Sequence, residues 1–354
     1  MIRAVVAEDS PTLRALLVHA LSADPEIRVV AEARDGQEAC EAVERLRPDV
    51  VTMDVHMPVL DGFEATRRIM ESSPVPIVIV SGTLTDQVTA TFRALNAGAL
   101  AFVPRPEGPG HPMHQKTSDD LVRMVKLMAE VKVVRRWRRR DAALRPPAPA
   151  RRGSLPSQED VRVVAIGAST GGPVALQIVL SALPKNYPVP VLVVQHMAPG
   201  FIDGLAQWLG ESCPLPVRVA SAGQDAKPGH VYLAPDGAHM ALAGDGCIAL
   251  SGSATEYGMR PAVAYLFRSV AKAVGGRAIG VLLSGMGKDG AAELKDMRDL
   301  GAVTIAQDRE SSVVHGMPGE AIALEGAVHV LAPNEIGDFL AALKISGSVK
   351  HVLS

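Results

Sequence analysis

Two groups of residues in this chain have the types and spacing to do chemistry. The first is acidic. Glu8 and Asp9 follow an apolar run at 3–7, and Asp54 follows another at 50–53. If both runs are strands of one parallel sheet, their carboxyl ends converge and the three acids share a pocket. Like charges so placed repel unless a divalent cation sits among them. Hard oxygens around an open face suit Mg2+, which keeps waters and accepts phosphate oxygens. Ser81 follows the run 77–80 and could bond a phosphoryl oxygen; Arg105 follows the run 99–103 and could neutralise one. The competing reading is helix capping, since Asp9-Ser10-Pro11 also carries the residue types of a helix start.

The second group begins where an apolar strand, 163–166, runs into Gly167-Ala168-Ser169-Thr170-Gly171-Gly172-Pro173. A strand, a tight glycine turn bearing a serine, and then a helix is the layout of a nucleophile elbow, and also of an anion-binding nest without a nucleophile. A serine nucleophile needs a base. Among the histidines beyond residue 160, His196 ends the run 189–195 and so reaches the same sheet edge as Ser169, whereas His230 and His239 flank a hairpin-like section. The orienting acid is expected from a third strand end: Asp289, in the glycine-dense loop after 279–283, or Asp308, after 303–306. The order Ser, His, Asp differs from that of α/β-hydrolases, but triads are defined by geometry and not by chain order.

These residues need elements to hold them. Before residue 126, apolar runs at 3–7, 28–33, 50–53, 77–80 and 99–103 alternate with amphipathic stretches such as Leu13, Leu16, Leu17, Ala20 and Leu21. That rhythm predicts an open parallel sheet with helices on both faces. Residues 161–166, 174–180 and 189–195 repeat it. A hairpin-like section at 230–233, 239–243 and 247–250 interrupts it, and 279–283 and 303–306 restore it. The expected architecture is α/β: two doubly wound domains, a flavodoxin-like one and a Rossmann-like one carrying an antiparallel excursion. Between them the segment 141–160 is Pro-rich and has no hydrophobic period. The expected divisions are 1–125, a basic linker at 126–159, 160–345 and a tail at 346–354.

The chain has 354 residues, 47% hydrophobic and 21% charged, a globular balance that excludes disorder over most of its length. Its apolar runs are strand-sized, so no membrane insertion is expected. Three scattered cysteines with no metal-ligand spacing, and a start without a signal-like segment, point to a reduced cytoplasmic protein. Residues 126–152 hold ten basic and two acidic side chains, +8, so the rest of the chain sums to −10 against −2 overall. The run Arg135–Arg140 around Trp137 could touch nucleic acid. Nothing beside it reads as a DNA-reading module, and no nucleic-acid partner is expected.

Residues 1 to about 125 resemble response-regulator receiver domains, through Glu8-Asp9, Ser81 and the stretch Asp54-Val55-His56-Met57-Pro58-Val59-Leu60-Asp61-Gly62. The resemblance implies a phosphoacceptor at Asp54 and Mg2+ held by Glu8, Asp9, Asp54 and the His56 carbonyl. It also implies switch residues Ser81, Phe102 and Arg105, and a histidine kinase as phosphodonor. Arg105 stands where the family usually has Lys, and a planar fork does not replace a point charge at a phosphate contact. Residues 161 to about 343 resemble the chemotaxis protein-glutamate methylesterase catalytic domain, through 166–173, 194–199, 228–235, 283–291 and 305–321. This resemblance implies a cofactor-free Ser169, His196, Asp289 triad with loop support near Thr170 and Met286. Its implied activities are ester hydrolysis on receptor glutamates and deamidation of receptor glutamines, both controlled by the receiver. Ala262 and Ala264 depart from the family, which usually has Ser and Asp there. An adaptor without turnover is the rival reading.

Overall fold

The computed structural model describes residues 1–82, 85–131, 133 and 161–343. The chain divides into two units, Met1–Arg145 and Pro146–Ser354. Apart from its first few residues, which are helical, the expected linker lies outside the described residues, as do the arginine run within it and the expected tail.

The first unit alternates strands β1 (Ile2–Ala7), β2 (Ile27–Ala33), β3 (Val50–Met53), β4 (Ile77–Ser81) and β5 (Ala101–Pro104) with helices. The helices are α1 (Pro11–Ser22), α2 (Gly36–Leu46), α3 (Gly62–Ser72), α4 (Thr85–Ala97) and α5 (His114–Ala129). The strands pair in parallel in the order β2-β1-β3-β4-β5. Val50, Val51, Thr52 and Met53 are all buried, as a strand covered on both faces requires. Each early helix has its own cap. Ser10 Oγ accepts from the Leu13 N–H at 3.4 Å, Asp35 from Glu38 at 2.8 Å and Asp61 from Glu64 at 2.8 Å. Because Ser10 caps α1, the acids at the ends of β1 and β3 are not needed as caps.

Among its described residues the second unit is built on seven parallel strands in the order β14-β13-β12-β6-β7-β9-β8. In chain order they are β6 (Val163–Ala168), β7 (Val191–Gln195), β8 (Val217–Val219), β9 (Val231–Leu233), β12 (Ala278–Leu282), β13 (Val303–Gln307) and β14 (His329–Leu331). A separate antiparallel hairpin joins β10 (His239–Leu242) to β11 (Ile248–Ser251). The first of the three runs expected to form the hairpin-like section therefore belongs elsewhere, in the main sheet beside β7. The reason is visible in its residues: Val231, Tyr232 and Leu233 are buried without alternation, the pattern of a parallel interior strand.

Helices α6 (Gly172–Ser181), α7 (Ile202–Ser212) and α11 (Pro333–Ala341) pack together on one side of the sheet. On the other lie α8 (Val263–Val274), α9 (Ala291–Asp299) and α10 (Met317–Ala323), whose Phe267, Leu294 and Met317 join one core with Val163, Leu192 and the hairpin's Met240. Among the described residues no helix is long and apolar enough to cross a membrane.

Candidate functional sites

In the first unit β1 and β3 are neighbours, so their carboxyl ends bring Glu8, Asp9 and Asp54 together, with ligand oxygens all within 4.8 Å of one another. Glu8 and Asp54 are buried and Asp9 is exposed, which leaves one face open. Glu8 Oε2 and Asp54 Oδ2 are buried with no hydrogen-bond partner among the described residues. Burial pushes the Glu8 carboxyl up to about 7, with Asp54 adding to the shift. Burial also raises Asp54, while the Arg105 guanidinium pulls it back. Partnerless buried anionic oxygens around an open face fit a hard divalent cation.

Arg105 stands at the end of β5. Its Nη2 donates to Asp54 Oδ1 at 2.8 Å and its backbone N–H to the Ser81 carbonyl at 3.0 Å. Ser81 is buried at the end of β4, and Phe102 packs edge-on against Phe92 at 5.9 Å. His56, two residues past Asp54, exposes its side chain to solvent. The structure thus gathers Glu8, Asp9, Asp54 and Arg105 directly and places Ser81 and Phe102 on the adjoining strands.

In the second unit β12, β6 and β7 lie side by side at the centre of the sheet, and chain order reverses across β6. Crevices for chemistry form at the carboxyl ends of strands at such a switch point. Ser169 follows β6, His196 follows β7, and Asp289 lies in the loop between β12 and α9. At the elbow Gly171 has φ 78°, a left-handed conformation that a side chain would strain, and Pro173 lies in the first turn of α6.

His196 Nε2 lies 2.9 Å from Asp289 Oδ2. Neither ring nitrogen makes an aligned hydrogen bond among the described residues, and both are shut away from water. Loose alignment is common in catalytic groups without substrate and tightens in the complex. Asp289 is itself fixed at the start of α8, where its Oδ2 and Oδ1 accept from the Val263 and Ala264 N–H groups, each at 2.8 Å. A helix N-terminus stabilises negative charge placed there. Asp308, the other candidate acid, bonds instead to Ser311 in a local turn.

Three buried polar residues hold the serine loop, and none was singled out from the sequence. Gln195 Nε2 donates to the carbonyls of Ser169 and His196, both at 2.8 Å. The Ser284 carbonyl accepts from the Ser169 N–H at 3.0 Å, and Ser284 Oγ donates to the Thr170 carbonyl at 2.7 Å. Gln307 Oε1 in turn accepts from the Ser284 N–H at 2.7 Å. The signal was present: each is a polar residue closing an otherwise apolar strand run. Gly285 must be glycine, because an added Cβ would lie 2.7 Å from Ser169 Cβ and 2.4 Å from Met317 Sδ.

The receiver family model, described as response regulator receiver domain, matches residues 4–115, and the model described as CheB methylesterase matches residues 164–340. A protein-glutamate methylesterase/protein-glutamine glutaminase of Geobacter metallireducens is 53% identical over 97% of this chain and 99% of its own length. The chain belongs to the CheB methylesterase family. A relative of the same description from Nitrosospira multiformis is 52% identical over 97% of both chains. The crystal structure of the Thermotoga maritima CheB methylesterase catalytic domain is 40% identical, with a TM-score of 0.50, and covers 52% of this chain and 99% of its own. Ser169, His196 and Asp289 all fall inside the segment matched by the CheB methylesterase model.

Proposed function

We propose that this chain is a phosphorylation-controlled serine hydrolase. It removes methyl esters from glutamate side chains of methyl-accepting chemotaxis receptors, releasing methanol, and deamidates receptor glutamines at the same centre. The observation that carries the reading is the buried His196–Asp289 pair beside Ser169 at the sheet's switch point. Nε2 is the ring nitrogen that faces Asp289, and in this reading the other, Nδ1, takes the Ser169 hydroxyl proton as Oγ attacks the ester carbonyl. Asp289 orients the ring and stabilises the imidazolium. The N–H groups of Thr170 and Met286, on the loops that follow β6 and β12, would cradle the oxyanion. His196 returns the proton to the leaving methanol, or to ammonia from a glutamine. Water then attacks the acyl-enzyme with its proton passing to His196, and the carboxylate product and free Ser169 result.

In the receiver, Asp54 is the phosphoacceptor. Its carboxylate attacks the phosphoryl group of a phosphohistidine donor, the P–N bond breaks to release the donor's histidine, and an acyl phosphate forms. Glu8, Asp9 and Asp54, with the His56 carbonyl, would hold Mg2+, which neutralises phosphoryl charge when bound. Arg105 supplies the fixed positive charge, and Ser81 with Phe102 forms the switch. The enzyme works in the cytoplasm, on receptors it meets there.

Methanol release from methylated receptor membranes tests this, with and without a small phosphodonor and Mg2+, and with Ser169→Ala as the blank. Release that rises with phosphodonor is expected. Release equal to the blank in every arm sinks the esterase reading and favours an adaptor, and release indifferent to phosphodonor sinks the phosphorylation control.

A further inference from the structure

Helix α8 begins without a side-chain cap of its own. Its N-cap residue is Ala262, and the N–H groups of Ala262, Val263 and Ala264 all start out unpaired, as at any helix N-terminus. Two side chains from elsewhere satisfy them. Asp289 takes Val263 and Ala264. His239, from the hairpin strand β10, takes Ala262: its Nδ1 lies 3.2 Å from that N–H. Its Nε2 lies 3.0 Å from the Ala254 carbonyl, and the ring stacks on Tyr265 at 4.6 Å. A backbone N–H can only donate and a carbonyl can only accept. The ring is therefore the neutral tautomer with the proton on Nε2.

We infer that His239 is a positioning residue for the hydrolysis: as the Nε2-protonated neutral ring it fixes the first turn of α8, and that turn fixes Asp289 against His196. The inference rests on the esterase reading above. His239 is fully buried, as are Ala262, Val263 and Ala264, so no water can replace its acceptor nitrogen. A buried N–H left without a partner moves or costs stability, and here it immediately precedes the two N–H groups that hold the orienting carboxylate. Two other described histidines of this unit do not share the arrangement. His230 bonds to the Pro228 carbonyl near the surface, and His315 faces Ser312 Oγ. A satisfied core histidine with no link to the site would tolerate either loss equally, which gives the test its contrast.

Asparagine places its amide oxygen near the position of Nδ1, whereas glutamine places its amide nitrogen near that of Nε2. His239→Asn keeps the acceptor for Ala262, and His239→Gln keeps only the donor to Ala254. Both lose the stack on Tyr265, so both lose thermal stability to a similar degree. In the full chain with phosphodonor, His239→Gln is expected to lower kcat for methanol release by about 100-fold with KM unchanged, the scale of a small misplacement of a catalytic group. His239→Asn is expected to recover most of that loss. Equal kcat in the two variants overturns the inference. If neither variant folds, the unmodified protein decides: a nitrogen-15 spectrum is expected to show His239 unprotonated at Nδ1, and a protonated Nδ1 overturns the inference. Wild-type protein that releases no methanol removes the esterase reading, and the spectrum still reports separately on how His239 is held.

Discussion

At the scale of single residues, the two sites treat carboxylates in opposite ways. Asp289 sits on two helix N–H groups and beside an imidazole, the arrangement that its proposed role of orienting His196 requires. Asp289→Asn is expected to lower kcat for methanol release by about four orders of magnitude, as losing the orienting acid does in other triads, and steady-state kinetics on methylated receptors check it. Glu8 and Asp54 instead crowd together, each with an oxygen that has no partner among the described residues. Arg105 is the near cation that favours ionised Asp54. Arg105→Ala therefore raises the pKa of Asp54 further and thins the nucleophilic form at a given pH. The pH profile of phosphorylation by a small phosphodonor should move to higher pH, and an unmoved profile would mean that Arg105 does not tune the nucleophile.

At the scale of elements, the serine loop is held by neighbours more than by its own residues. Gly285→Ala pushes a methyl group against Ser169 from the next strand's loop and is expected to cost about 100-fold or more in kcat while the core stays folded. Circular dichroism alongside the kinetics separates the two effects. Phe267→Ala acts differently. It opens a cavity where α8 meets the sheet and should cost about 3–5 kcal/mol of stability by denaturant unfolding. Much of this layer could be read beforehand. Ser169, His196 and Asp289 each end or follow an apolar strand, and a period of strand and helix places such residues on one edge. The acids after β1 and β3 were legible for the same reason. The clamps were legible only as polar residues closing apolar runs, and what Gln195, Ser284 and Gln307 hold becomes visible once the strand order puts β13 beside β12 and β7 beside β6. The place of β9 was also hidden: three residues carry too little pattern to show which sheet they join, and its partner β7 is distant in sequence. Edge strands β8 and β14 are equally short and alternate in burial, so they left no apolar run to find.

At the scale of the whole molecule, the acidic pocket is expected to couple receiver stability to pH and to divalent cations. A carboxyl raised from 4.5 to about 7 in the fold, as Glu8 is, binds its proton more tightly folded than unfolded, so stability falls as pH rises through that interval. Mg2+ held by these acids would offset the loss only once they are ionised. Thermal unfolding of the full chain should show a larger gain in Tm from Mg2+ at pH 8 than at pH 5, and Glu8→Gln should shrink the difference; equal gains at both pH values would speak against a cation in this pocket. The order of the second sheet has a consequence for the protein's synthesis. Strand β6 sits at its centre and leaves the ribosome first, but its partner β12 arrives only with residues 278–282. Until then one apolar edge of the central strand has no mate, and Ser169 and His196 have been made without Asp289. On the proposed mechanism, nascent or truncated chains of this kind could not act on receptors, and an unpaired apolar strand edge favours pairing with another chain.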